Sequence, residues 1–415
     1  MSKLFKNSTA QLFIALFFGI AFGTLMKALP AWIYIDDIIV NGLFKLVGNG
    51  FIELIKMTVV PLIFTSLVCG ISSFSDTKKL GKVGAKTLFI FLITTLTAIL
   101  ISLILTYFIK PGEGINATVV KSCCDCANNV QSASPKSPVD IILDIIPSNP
   151  IKSMSKGNLL QILVFASFFG VSLGMIGEKS QKVIEFFNIT NDAIMKIVSI
   201  IMKLAPIGVF ALISNTVYST GFESLIGILK LILTVVISLA IQAFVVYGTI
   251  YKLGTKLSFI DFLKNYSEVA GISFSTSSSN AAIPFSMKMM EKMNVDKSIY
   301  QFVLPIGATV NMAGTAIMQC ASAMFIAQAY NIPLSLNAIL TITLTAVFAS
   351  VGAAGVPGVG MIMMTMILGS VGLPVEGIAL IMGFDRILDM VRTVVNVMGD
   401  CVCAVIVDKL EKAKK

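Results

Sequence analysis

Ser273-Phe274-Ser275-Thr276-Ser277-Ser278-Ser279-Asn280-Ala281-Ala282-Ile283-Pro284 interrupts an apolar stretch that runs from about 258 to 292. A second break, Gly352-Ala353-Ala354-Gly355-Val356-Pro357-Gly358-Val359-Gly360, sits inside about 337–371. Neither flank of either break is long enough to cross a bilayer core of ~30 Å comfortably as a helix. The first stretch is charged at both ends, by Lys256, Asp261 and Lys264 before it and by Lys288, Glu291 and Lys292 after it. Both ends therefore belong on one watery side, and the chain enters the membrane and turns back. The second has neutral ends, Asn331-Ile332-Pro333 and Gly372-Leu373-Pro374, and is predicted to dip in from the other side. Non-helical backbone at membrane depth is tolerated only where it is buried in protein or lines a watery cavity. Two hairpins of opposite entry, each paired with a span, form the pattern of an inverted repeat. Discontinuous segments in matching halves point to a transporter's binding site. Close helix packing by Gly and Ser accounts for one such segment. It accounts less well for two at mirrored positions, each with a proline.

The rest of the chain agrees. Of its 415 residues, 56% are hydrophobic and 13% charged, against about a quarter charged in a soluble domain. Mean hydropathy is +0.90 over 44.4 kDa. This excludes a soluble enzyme, a disordered chain and a nucleic-acid reader; the continuous apolar runs exclude an outer-membrane barrel. The fold class is an all-α integral membrane protein. Spans are predicted at about 10–29, 39–72, 83–109, 139–177, 189–217, 224–252, 297–329 and 375–408, with the two hairpins in addition. Lys78, Lys79, Lys82 and Lys86, then Lys179 and Lys182, then Lys252 and Lys256 follow the even-numbered spans. Together with Lys3 and Lys6 they account for the net charge of +9 as a positive-inside bias. Both termini are then cytoplasmic, in a cell inner (plasma) membrane, and the loop 110–138 is external. No cleavable signal is recognised ahead of Leu12–Leu29. The chain has no His and seven Cys; Cys123, Cys124 and Cys126 do not make a closed zinc site on their own.

The last span carries Asp385, Arg386, Asp389, Arg392 and Asp400, five charges in sixteen residues. At ~2.5–3.5 kcal/mol each in mid-bilayer, they sum to ~12–17 kcal/mol unless they face protein. At ~100° per residue, Asp389, Arg392, Thr393, Asn396 and Asp400 lie about 40°, −20°, 80°, 20° and 60° from Asp385, all on one stripe. A guanidinium fork suits a carboxylate, and Asp389 suits an ammonium. Asp400 with backbone carbonyls suits a hard cation. The alternative is a salt-bridge network that stitches spans together. The ligand reading requires Asp389 and Arg392 to be left for a zwitterionic guest rather than locked onto each other.

These residues, with the serine-rich tip 277–284 and Asn311-Met312-Ala313-Gly314-Thr315, resemble the glutamate transporter family of dicarboxylate/amino acid:cation symporters over nearly the whole chain. The resemblance implies eight spans plus two re-entrant hairpins, and a homotrimer. A scaffold of 1–72 and 139–217 would hold a moving transport domain of 83–109 and 224–415. Transport would follow an elevator mechanism, with the second hairpin as outer gate. Substrate would be held by Ser277, Ser278, Ser279, Thr315, Val356, Gly360, Asp389, Arg392, Thr393 and Asn396. Arg392 and Thr315 would take its side-chain carboxylate, Asp389 and Thr393 its amino group, and Asn396 and Ser279 its α-carboxylate. Cation sites would use Gly307, Asn311, Asn396 and Asp400; Thr309, Ser350, Val351 and Ala353; and Phe91, Thr94, Thr95 and Asn311. Met312 would couple cation to substrate. Partners are then an amino acid, sodium ions and the lipid bilayer, with no nucleic acid and no enzymatic step.

The chain departs from this pattern at Ala313, where the acidic-substrate members carry Asp. A methyl cannot ligate a cation, so the third site is lost or is held weakly by Thr94 and Thr95. The Asn-Met-Ala-Gly form resembles the sodium/serine-threonine branch instead. Arg392 favours aspartate or glutamate, since a buried guanidinium facing a neutral substrate is left unpaired at a cost. Co-transported Na⁺ is the preferred cation. Neutral amino acid transport and proton coupling stay open as alternatives.

Overall fold

The computed structural model describes residues 8–28, 39, 42–72, 80–115, 146–157, 159–220, 223–352 and 359–413. Among them there are helices and turns and no strand. The predicted positions Ala353 and Val356, the cysteines 123, 124 and 126, and Lys3, Lys6, Lys78 and Lys79 lie outside the described residues. So do most of the loop 110–138 and the side chain of Val351.

α1 (Ser8–Ala28) packs on α7 (Ala205–Thr220). α2 (Lys45–Ser72) packs on α5 (Leu159–Ile176), α6 (Gln181–Lys203) and α7. The short α4 (Pro150–Lys156) precedes α5. It starts with Asn149 accepting from the Lys152 amide and with proline at its first position, and it ends on left-handed Gly157. The predicted fifth span is not one straight helix. The helical stretch Val164–Ile201 meets Ala205–Asn215 at a 53° bend, and Leu204 at the break donates its amide to Ile201 O.

α3 (Leu80–Ile109) lies against α8 (Glu223–Ala240) and α13 (Ala313–Ala329). α8 runs through a π-turn, Ile241–Val246, into α9 (Tyr247–Thr255). Both predicted hairpins are helix pairs. The first is α10 (Phe259–Thr276) and α11 (Ser279–Lys292). The second is α14 (Leu336–Gly352) and α15 (Val359–Ser370). The predicted seventh span is broken at Asn311-Met312 into α12 (Lys297–Val310) and α13, both break residues having non-helical backbone. α16 (Ala379–Lys412) touches α3, α7 to α13 and α15.

The core sits around α13 and α16. From Ala313 to Ala327 every α13 residue is buried, because Ala, Gly and Ser let backbones approach closely. Ser102 of α3 donates to the Ile317 carbonyl at 2.7 Å. Tyr266 of α10 donates to the Val394 carbonyl of α16 at 2.6 Å. Four helices are long and apolar enough to cross a membrane among the described residues, or five if the bent pair counts as one span. Sequence predicts eight. Phe17–Lys27, Val60–Cys69 and Leu336–Ser350 are shorter apolar helices.

Candidate functional site

The charged stripe of α16 faces protein. Asp385, Asp389, Arg392, Thr393, Asn396 and Asp400 are all buried, Arg392 with 2% exposure. The helical period places them on one side, and small residues of α13 let α16 come close to it. Gly314 shows how close: a Cβ there would sit 2.8 Å from the Arg392 carbonyl oxygen.

The structure corrects the expectation that Asp389 and Arg392 stand apart. Arg392 donates to Asp389 Oδ1 from Nε at 3.0 Å and from Nη2 at 2.8 Å. Its Nη1 lies 3.3 Å from Asp385 Oδ1 and contacts Met318 Sδ. Arg386 Nη1 is 3.8 Å from Asp389 Oδ2. The physical reason is spacing. Residues three apart on a helix meet, and a buried charge pairs with the nearest opposite charge. Asp385 and Met318 are neighbours that sequence reasoning did not give to Arg392. The signal was present for Asp385, seven residues away on the same face.

Asn396 ties Gly314 to two predicted site residues, Met312 and Thr315. Its Oδ1 accepts from the Gly314 amide at 2.7 Å, and its Nδ2 donates to Thr315 Oγ1 and Met312 Sδ, both at 3.2 Å. Thr315 also faces Met312 Sδ at 3.9 Å. Thr393 turns its hydroxyl to the Asp389 carbonyl of its own helix at 2.7 Å. Gly360, on the first turn of α15, abuts the guanidinium: a Cβ there would lie 2.6 Å from Nη2 and 2.7 Å from Nη1. The first turn of α15 therefore lies against Arg392.

At the tip of the first hairpin, Ser277 is buried in left-handed backbone at φ 50°, with an unpartnered hydroxyl. Ser278 caps α11 by accepting from the Ala281 amide at 3.3 Å, and Ser279 is buried. Gln319 and Ser322 bury further unpartnered polar atoms on α13.

Of the predicted cation residues, Asn311 Nδ2 donates to Asp400 Oδ1 at 2.8 Å and to the Asn396 carbonyl at 3.3 Å. Gly307 lies against Asp400, since a Cβ there would fall within 3.0 Å of the carboxylate. Thr94 donates to the Phe91 carbonyl at 3.0 Å, and Phe91, Thr94 and Thr95 are buried. Thr309 and Ser350 donate to carbonyls of their own helices, Ile306 at 3.0 Å and Val347 at 2.7 Å. No described group of three or more His, Cys, Asp or Glu forms a multidentate metal centre.

Known proteins share this chain nearly end to end. The proton/sodium-glutamate symport protein of Bacillus caldotenax is 39% identical over 406 residues, covering 97% of this chain and 94% of its own. The proton/glutamate-aspartate symporter of Escherichia coli (strain K12) is 37% identical over 381 residues, covering 91% and 87%. C4-dicarboxylate transport protein 1 of Ralstonia nicotianae is 38% identical over 373 residues, covering 89% and 86%. All three names describe transporters rather than enzymes. The sequence profile of the sodium:dicarboxylate symporter family matches residues 9–410, and the chain belongs to that family.

Proposed function

We propose that this multi-pass membrane protein imports acidic amino acids, aspartate or glutamate, in symport with a cation. The observation that carries the reading is the buried guanidinium of Arg392 between Asp389 and Asp385, beneath Gly360 of the second hairpin. A substrate carboxylate displaces Asp389 from Arg392. The released Asp389 then takes the substrate's ammonium. The Arg392–Asp389 pair gives way to two pairs with the substrate, and no buried charge is left alone. A plain dicarboxylate lacks the ammonium and strands Asp389. A neutral amino acid lacks the second carboxylate and cannot drive the exchange as well.

Substrate thus sits among Ser277, Ser278, Ser279, Thr315, Val356, Gly360, Asp389, Arg392, Thr393 and Asn396. Sodium is the preferred cation, bound at Asp400 with Gly307, Asn311 and Asn396 carbonyls. Proton coupling is the second reading, because the relatives' names carry both ions. The proposal extends to eight spans with two inverted hairpin repeats, a homotrimer with cytoplasmic termini, and elevator movement of 83–109 and 224–415. The contact of Gly360 with Arg392 supports the second hairpin as outer gate.

The experiment is uptake of labelled aspartate into liposomes, competed by the common amino acids, with a sodium gradient, a proton gradient or neither. Uphill accumulation competed by glutamate and not by serine is expected. Accumulation competed by serine and threonine alone would replace the reading with neutral amino acid transport.

A further inference from the structure

Gln242 and Tyr247 are five residues apart, which on an α-helix would separate them by about 140°. The π-turn Ile241–Val246 changes that. The Tyr247 amide donates to the Gln242 carbonyl across the widened turn, and both side chains point into the core. π-turns of this kind recur at functional sites.

Tyr247 lies near the Asp400 carboxylate on the α8–α9 side, and Gln242 lies beside Tyr247. Gln242 Nε2 donates to the Thr94 carbonyl at 3.1 Å. Its Oε1, Tyr247 Oη and Asn311 Oδ1 are neighbours with no well-formed hydrogen bond among them. The amide orientations are fixed, because the groups facing their NH₂ ends, the Thr94 and Asn396 carbonyls and the Asp400 carboxylate, only accept. Gly399 keeps the space between Tyr247 and Asn311 open: a Cβ there would fall within 3.0 Å of both Tyr247 Oη and Asn311 Nδ2. No lysine or arginine among the described residues pairs with Asp400.

The cluster therefore gathers two amide oxygens and one phenol, whose single hydrogen can serve only one of them, around one uncompensated carboxylate. A single proton neutralises the charge but satisfies few of these oxygens. A hard metal cation gathers several oxygens at once. We infer that Tyr247 Oη and Gln242 Oε1 complete, with Asn311 Oδ1 and the Asp400 carboxylate, a seat for a monovalent hard cation. The π-turn is the element that sets the position of its two neutral ligands. This rests on Asp400 being a cation carboxylate and adds the α8–α9 side of the site.

The test uses the full chain in liposomes, with labelled aspartate uptake measured against external Na⁺. Tyr247→Phe removes one oxygen and keeps the ring. It is expected to raise the half-saturating Na⁺ concentration about tenfold and to leave aspartate affinity at saturating Na⁺ unchanged. Gln242→Glu adds a charge and is expected to lower half-saturating Na⁺ several-fold. Na⁺-dependent thermal stabilisation of each purified variant reports binding without transport. Should both variants keep the parent's Na⁺ dependence within twofold while Asp400→Asn raises it, the inference is overturned and the Asp400 reading stands. Should Asp400→Asn leave Na⁺ dependence unchanged too, the underlying reading fails. Parent uptake that responds to pH and never to Na⁺ overturns the metal seat outright.

Discussion

Arg392 sends two of its donors, Nε and Nη2, to the same oxygen of Asp389, at 3.0 and 2.8 Å. Two bonds converging on one oxygen leave the planar fork only partly used. A guest carboxylate that offers two oxygens makes the better bidentate match. On the proposed function, a substrate carboxylate would improve on the pair seen here.

Arg392→Cys removes the cation and leaves Asp389 and Asp385 buried without it. Breaking a buried pair in this way costs ~3–5 kcal/mol. Aspartate uptake is expected to fall to background while uptake of neutral amino acids appears. Labelled aspartate and serine, measured side by side, check this. Intact aspartate affinity would remove the substrate assignment.

Gly360→Ala places a methyl 2.6 to 2.7 Å from the guanidinium. Arg392 is packed on all sides and has little room to retreat. Overpacking of this kind costs ~1–3 kcal/mol, so aspartate affinity is expected to fall by about tenfold or more. A dose-response curve of uptake is the measurement. Unchanged affinity would mean that the hairpin does not press on Arg392 in the transporting state.

Ala313→Asp restores a carboxylate at a fully buried position beside Met312 and Asn311. If a cation accompanies it, the sodium-to-aspartate coupling number rises, and the reversal potential of uptake shifts with it. No shift would overturn the reading that Ala313 weakens or removes a third cation site.

Asp408 joins the end of α16 to the turn before α12. Its Oδ1 accepts from the Asp296 amide at 3.0 Å and its Oδ2 from Lys412 Nζ at 2.7 Å. Asp408→Ala strands the Asp296 amide and is expected to cost ~1–3 kcal/mol. A lower thermal midpoint in detergent, with transport per folded molecule unchanged, would agree. An unchanged midpoint would not.

The two hairpins and the polar face of α16 were legible because each breaks a rule of its surroundings. Ser277–Ser279 and Gly352–Gly360 interrupt apolar runs, and Asp385 to Asp400 put charge where hydrocarbon is expected. The Arg392–Asp389 bond was not legible. The spacing that lets two residues share a guest also lets them hold each other. Gln242 and Tyr247 gave no signal either. Read at helical period, the two fall on different faces, and only the π-turn brings them together. The bend at Leu204 lacks a proline or glycine of its own; Pro206 and Gly208 follow it.

The bond from Tyr266 to the Val394 carbonyl has a mechanical meaning. Val394 stands between Arg392 and Asn396 on the α16 backbone. A tether at that point couples the first hairpin arm to the helix bearing the guanidinium. For α10 to slide along α16, that anchor must first let go.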